Sequence, residues 1–239
     1  MKSKKSIIET AVSTLKLESD AILNLLQHLN DDFVKIVHAI LASKGRVIVT
    51  GIGKSAIIAQ KIVATFNSTG TPAIFMHAAD AVHGDLGMIQ KDDIVICISK
   101  SGNTPEIKLL APLLKHSGNL LIGMIGALDS DLAKQADLIL NTTVEKEACP
   151  HNLAPTTSTT AQLALGDALA ICLLEARDFN STDFARYHPG GSLGKRLYLK
   201  AGDIAAKNEK PIIAPNASVK DVIIEISKNR LGAVVVIDN

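Results

Sequence analysis

Tryptophan is absent from the 239-residue chain, and aromatic residues make up only 3% of it. With 47% hydrophobic residues, the core has to be built from Ile, Leu, Val and Ala, the composition of buried parallel strands in an α/β protein. Neither sign of charge is in excess: 25 Lys and Arg stand against 24 Asp and Glu, a net charge of +1. No global field therefore favours nucleic acid or an acidic membrane surface, and an anionic ligand would have to be caught by a local site. Cysteine is scarce. Cys97, Cys149 and Cys172 lie far apart and form no CxxC pair, which favours reduced thiols over disulfides. No apolar run is read as long enough to span a membrane. The basic stretch Met1–Ser6 leads into an amphipathic segment carrying Glu9, Lys16, Glu18 and Asp20, unlike the apolar region of a signal peptide. The expected location is the cytoplasm, with no membrane and no nucleic acid as partner.

What is present is a change of period. Apolar positions Ile7, Ile8, Val12, Leu15, Leu23 and Leu26 predict a helix over 6–27, and a second fits 31–43. These cap the core or form an oligomer interface. Short apolar runs then follow at 46–50, 73–77, 94–99, 120–125 and 137–142, with helix-length segments at 54–69, 104–116 and 129–135. Runs of this length with helical spacers read as βαβ units: a five-stranded parallel sheet flanked by helices, a three-layer flavodoxin- or Rossmann-like arrangement. A longer helix fits 157–177, its start rich in Thr and Ser. The stretch 188–194 (HPGGSLG) is expected to be a loop or tight turn. A helix at 218–230 and a strand at 232–237 complete the pattern.

Ligands of open parallel sheets bind beyond the carboxyl ends of the strands. Two such ends carry informative loops: Gly51-Ile52-Gly53-Lys54-Ser55 and Ser99-Lys100-Ser101-Gly102-Asn103-Thr104. Both open onto predicted helices, whose free N–H groups and positive dipole ends suit phosphate. The first loop also fits the relaxed dinucleotide pattern GxGxx(G/A), a weak match alone. A Walker A loop would need glycine where Ile48 stands, so that reading fails. A plain strand–helix turn would not account for the second hydroxyl-rich loop, and two such loops suit one small phosphate held between them.

The segment from Ser99 to Glu106 (SKSGNTPE) resembles the phosphosugar-binding loop of the sugar isomerase (SIS) domain family. Further segments are similar to the arabinose-5-phosphate isomerases of that family: the 51–55 loop, 65–72 (TFNSTGTP), 83–87 (HGDLG), 146–150 (KEACP), 153–156 (LAPT) and 188–194. The resemblance spans roughly residues 40–200. It implies a SIS domain over 1–200 including the N-terminal helices. Residues 203–239 resemble the opening of a first CBS module, which would make this a truncated form. It also implies interconversion of D-arabinose 5-phosphate and D-ribulose 5-phosphate, feeding Kdo synthesis for lipopolysaccharide or capsule, by a homotetramer.

That chemistry requires ring opening, removal of a proton from C2, return of a proton at C1, and stabilisation of the enediolate between. The family's catalytic positions match Lys54, Glu106, Glu147 and His188. Glu147 is assigned as the C2 base with Glu106 as rival, Lys54 as the positive charge, and His188 as the ring-opening group, with a neighbouring subunit as one source. Taken without the resemblance, Lys54 would be a solvated loop lysine, Glu147 a surface carboxylate and His188 a turn residue. Phosphate contacts fall on Ser55, Ser99, Ser101 and Thr104, with Gly70 and Thr71 bordering the substrate. His77 and His83 stand near Asp80 and Asp85. Hydroxyl recognition is favoured for His83, and the family suggests an inhibitory zinc contact at His77. No cofactor is required by an enediol route, and neither HxH nor HExxH spacing is present.

Asn103 stands where the family usually has Glu, and Asp80 replaces another common Glu. Two other functions compete: a different SIS isomerase, such as a hexulose-6-phosphate isomerase, and a sugar-phosphate-sensing SIS domain. Sensors usually carry a DNA-binding helical module, and residues 1–45 hold no basic recognition helix.

Overall fold

The computed structural model describes residues 4–206, 210–230 and 232–238. The chain packs as two compact units that divide between Phe184 and Ala185, earlier than the sequence boundary near 200.

In the first unit α1 (Lys4–Asn24) ends in a 3₁₀ turn, and α2 (Asp31–Ala42) starts where the Asn30 side chain accepts hydrogen bonds from the Asp32 and Phe33 amides. There follow β1 (Val47–Gly51), α3 (Lys54–Ser68), β2 (Ala73–His77), α4 (Ala78–Ala81), β3 (Ile94–Ser99), α5 (Pro105–His116), β4 (Leu120–Ile125), α6 (Asp131–Gln135), β5 (Leu138–Asn141) and α7 (Thr157–Ala176). The five strands are parallel in the order β2-β1-β3-β4-β5. Each expected strand is present, with ends moved by no more than a residue or so.

Strand alternation divides the core into two layers. Val47, Val49, Ile96, Ile98, Ile122 and Met124 pack with Ile36, Ile62, Phe66, Leu165 and Leu169 of α2, α3 and α7. Ile48, Val95, Cys97, Leu121 and Ile125 pack with Ile107, Leu110, Leu114 and Leu132 of α5 and α6. Both sheet faces are thus covered, which is why these strands read as continuous apolar runs. Burying each large aliphatic or Phe side chain contributes about 1.5–3 kcal/mol. At the amino edge of the sheet the buried Asp93 carboxylate accepts from the Arg46 backbone N–H (2.7 Å), its Nε (3.2 Å) and Nη2 (2.7 Å), and the Gln90 amide (2.8 Å).

One helix needs placing and one expectation needs correction. α7 is long and apolar enough by composition to cross a membrane. In the fold it is a core helix, with Ala161, Leu165, Leu169 and Leu173 buried against the sheet layer. Residues 188–194 are not a loop throughout, because α9 (Ser192–Tyr198) starts within them. The Gly191 amide donates to the His188 carbonyl (3.1 Å), and a Cβ on Gly194 would lie 2.2 Å from that oxygen. The glycines permit this tight turn into a helix.

α9 is preceded by α8 (Ser181–Tyr187), which runs through the division between the units. The second unit continues with α10 (Ala201–Ala205), β6 (Ile212–Ile213), α11 (Val219–Asn229) and β7 (Val235–Val236), with β6 and β7 pairing in parallel. α11 opens on a capping box between Ser218 and Asp221. The strand expected over 232–237 is limited to two residues.

Candidate active site

β1 has β2 on one side and β3 on the other, so the chain reverses its direction of winding between β1 and β3. The carboxyl ends of these two strands define the crevice where ligands of such sheets bind. The loops 51–55 and 99–104 both emerge there. They border a cleft of about 210 Å³ lined by Ile52, Lys54, Ser55, Ile98, Ser99, Lys100, Ser101, Thr104, Pro155, Ser158 and Thr159.

Local chemistry shapes each loop. Gly53 takes φ +58° immediately before α3, a conformation that L side chains adopt only at a cost. Gly102 takes φ +62°, and a Cβ there would stand 2.1 Å from Ser130 Oγ. The Ser99 hydroxyl accepts from the Gly102 amide (3.0 Å) and the Ser101 hydroxyl from the Asn103 amide (3.3 Å). Pro105 begins α5, where its missing N–H costs nothing. Ser55 Oγ lies 3.4 Å from Gln162 Oε1 of α7. The Thr104 hydroxyl is buried without a hydrogen-bond partner. An orphaned hydroxyl in a cleft wall, between two helix N-termini and two lysines, is an arrangement suited to an anion.

Of the expected site residues, Lys54, Ser55, Ser99, Ser101 and Thr104 are brought together in this wall. Glu147 stands behind it. Its side chain is fully buried, with Oε2 accepting from the Thr156 amide (2.8 Å), the Thr156 hydroxyl (3.3 Å) and the Ser158 amide (3.2 Å). Oε1 takes the Ser158 hydroxyl (2.6 Å) and Lys100 Nζ (2.6 Å). Burial pushes the carboxyl pKa up, but the hydrogen bonds from Lys100, Ser158 and the two amides outweigh it and hold it at about 2. Glu147 therefore caps the first turn of α7 and pairs with Lys100; the surface-carboxylate alternative is excluded by its burial. Glu106 occupies the first turn of α5, half-buried, directly after the loop.

Other expected residues lie elsewhere. Gly70 and Thr71 precede β2, at the amino edge of the sheet, where the Gly70 carbonyl (3.4 Å) and Thr71 hydroxyl (2.8 Å) accept from Arg177. They do not border the cleft of their own chain, because the crevice is at the other end of the strands. His77 ends β2 beside Gly51 in register, with Nδ1 3.5 Å from Asp80 Oδ2. His83 is exposed after α4. Among the described residues no group of three or more His, Cys, Asp or Glu converges. His77 and Asp80 alone fall short of the three or four protein ligands zinc takes, so the zinc contact does not fit this chain's donors. His188 belongs to the second unit.

Lys100 and Ser158 were missed in the sequence. Lys100 sits inside the most informative motif, between the two serines assigned to phosphate, and Ser158 in the Thr/Ser-rich start of α7. The Asn103 side-chain Oδ1 accepts from the Asp131 amide (3.0 Å), so this residue caps α6 instead of facing the cleft.

The family model "SIS domain" matches residues 40–172. The arabinose 5-phosphate isomerase KdsD of Pseudomonas aeruginosa is 50% identical over 239 residues, covering 100% of this chain and 73% of that one. The arabinose 5-phosphate isomerase GutQ of Shigella flexneri is 45% identical, covering 98% and 73%. An Escherichia coli CFT073 protein solved in complex with arabinose 5-phosphate superposes with a TM-score of 0.75 at 41% identity, covering 79% of this chain and 100% of that one.

Proposed function

Because the chain belongs to the sugar isomerase (SIS) family, we propose that it is an arabinose-5-phosphate isomerase, interconverting D-arabinose 5-phosphate and D-ribulose 5-phosphate. The relatives named above carry that activity in their names. The observation that carries the reading is the cleft itself, where hydroxyls, two lysines and two helix N-termini converge and a buried ionised carboxylate stands one side chain away.

The phosphate binds between the 51–55 and 99–104 loops, held by Ser55, Ser101, Thr104 and the N-termini of α3 and α5, while Ser99 shapes the loop. With the phosphate fixed, the sugar carbons extend toward Ser158 and Thr159. After ring opening, the C2 proton passes to a carboxylate and the carbonyl oxygen at C1 is protonated. The resulting enediol regains a proton at C1 as O2 becomes the ketone. We assign the C2 base to Glu147, with Glu106 as the rival, and charge stabilisation to Lys54. Ring opening goes to His188, with a neighbouring subunit as one source. No step needs a metal.

On the same reading the D-arabinose 5-phosphate formed in the reverse direction feeds Kdo synthesis and the protein works in the cytoplasm as a homotetramer. The exposed apolar face of α1, with Ile7, Ile8, Val12, Leu15 and Leu23, supports assembly. We assign the segment from 203 onward to the opening of a CBS module, supported by the β6-α11-β7 order.

The test is exchange at C2 of D-arabinose 5-phosphate in D₂O, followed by NMR, for wild type and Glu147→Gln. Exchange with ribulose 5-phosphate formed by wild type, and both lost in the variant, is the expected result. Undiminished turnover in the variant moves the base to Glu106 or a histidine. Binding without exchange or product by wild type overturns the isomerase.

A further inference from the structure

Every acceptor site on the Glu147 carboxylate is occupied. A carboxylate offers about four lone-pair directions, and Oε2 takes three donors while Oε1 takes two. Four of these five contacts come from Thr156 and Ser158, fixed in the first turn of α7. The fifth is Lys100, the one partner on a long flexible stem. A base needs a free lone pair, so Glu147 cannot accept a proton from carbon while Lys100 remains on Oε1.

Lys100 has a second destination. It lines the same cleft as Ser55, Ser101 and the orphaned Thr104 hydroxyl, and its side chain is 42% exposed. Its backbone is anchored, because the Gly126 amide donates to the Lys100 carbonyl (3.1 Å) and a Cβ on Gly126 would come within 2.8 Å of that oxygen. The stem can swing while its root stays in place. A phosphate dianion entering the cleft carries more charge than the carboxylate behind it and competes for the same ammonium.

We propose that Lys100 is a positioning residue that acts as a substrate-operated latch: it neutralises Glu147 in the empty site and is drawn off Oε1 by the phosphate of the incoming sugar, freeing that oxygen as the base. This rests on the isomerase reading. Other charges surround Glu147. Lys16 and Asp20 of α1, with Lys146 and Cys149 of its own segment, share a cavity of about 380 Å³ with it, and Glu145 is nearby in sequence. The α7 side supplies the neutral Thr156 and Ser158. Among the described residues Lys100 alone makes an ion pair with the carboxylate.

The latch predicts two different acid limbs in one enzyme, since kcat/KM reports the free enzyme and kcat the complex. In wild type the acid limb of kcat lies above that of kcat/KM, once the titration of the free substrate's own phosphate (second pKa about 6) is divided out of kcat/KM, by about one to three pH units, the effect of one nearby opposite charge. In Lys100→Met the two limbs coincide at the higher position, KM rises, and Lys100→Arg restores the gap. Coincident limbs in wild type, or a gap that persists in Lys100→Met, overturns the proposal. A second readout needs no turnover: the ¹³C shift of the Glu147 carboxyl in the full chain, with and without inorganic phosphate. Phosphate should bring its titration up into the measurable range in wild type and leave Lys100→Met unmoved. Identical carboxyl titration in both proteins sinks the latch even if wild type forms no ribulose 5-phosphate, an outcome that would separately remove the isomerase reading.

Discussion

Glutamine at position 147 tests the structural half of this carboxylate's work. Glu147→Gln keeps the shape but removes the charge, and places an amide N–H₂ where Lys100 or Ser158 now donates. The carboxyl pKa falls from the ordinary 4.5 to about 2 in the folded protein. At about 1.4 kcal/mol per pH unit this corresponds to about 3 kcal/mol of stability. The folded pKa is the lower one, so this contribution is complete above 4.5 and disappears as pH falls toward 2. Wild type should exceed Glu147→Gln by about 3 kcal/mol at neutral pH, and the gap should narrow steadily below about pH 4.5. Urea unfolding of the full chain, followed by circular dichroism across that range, measures the difference. Amide hydrogen exchange at Thr156 and Ser158 locates it, since those N–H groups lose their charged acceptor. Equal stability at neutral pH, or a gap of constant size down to about pH 3, would refute the reasoning.

Gly102→Ala should raise KM for the sugar phosphate about five- to thirty-fold, the equivalent of the roughly 1–2 kcal/mol cost of left-handed backbone, because its Cβ also meets Ser130; steady-state kinetics decide, and an unchanged KM contradicts the loop assignment. Burial pushes the Cys97 thiol up to about 12, so a thiol-reactive chromophore should label the exposed Cys172 and the half-buried Cys149 in the native protein and reach Cys97 only after denaturant. Hydrogen bonds from the Ala154, Leu153 and His151 backbone lower the Cys149 pKa, and it should react faster than Cys172 at neutral pH. Replacing both Ile8 and Leu15 of α1, which are exposed, by Glu should yield a smaller species in analytical ultracentrifugation with unchanged helix content; an unchanged mass excludes α1 from the interface.

The sheet was legible because strands such as Val47–Gly51 and Ile94–Ser99 are covered on both faces and so lack any polar alternation. The two loops that line the cleft were legible because glycines, hydroxyls and helix starts cluster locally in sequence. What could not be read was distance. Nothing in the stretch Lys146–Pro150 announces that its glutamate turns inward to cap a helix beginning ten residues later and to meet Lys100 from another strand end. Gly70 and Thr71 precede a parallel strand, which puts them at the edge of the sheet opposite the cleft of their own chain. The HPGGSLG stretch misled because its glycines serve a sharp entry into α9, not a helix-free loop.

All neighbours in the sheet are parallel, so no strand pairs through a local hairpin. The hydroxyl of Ser55 meets Gln162 across 107 residues of chain, and Ser158 joins the wall from the same late helix. During synthesis, which proceeds from the N-terminus, both loops that line the cleft leave the ribosome well before α7 does. The cleft is thus completed last, and a nascent chain has no finished site for a sugar phosphate to stabilise. Once α7 docks, ligand binding favours the whole unit at once by mass action, so occupancy should slow unfolding of β1 and of α7 together.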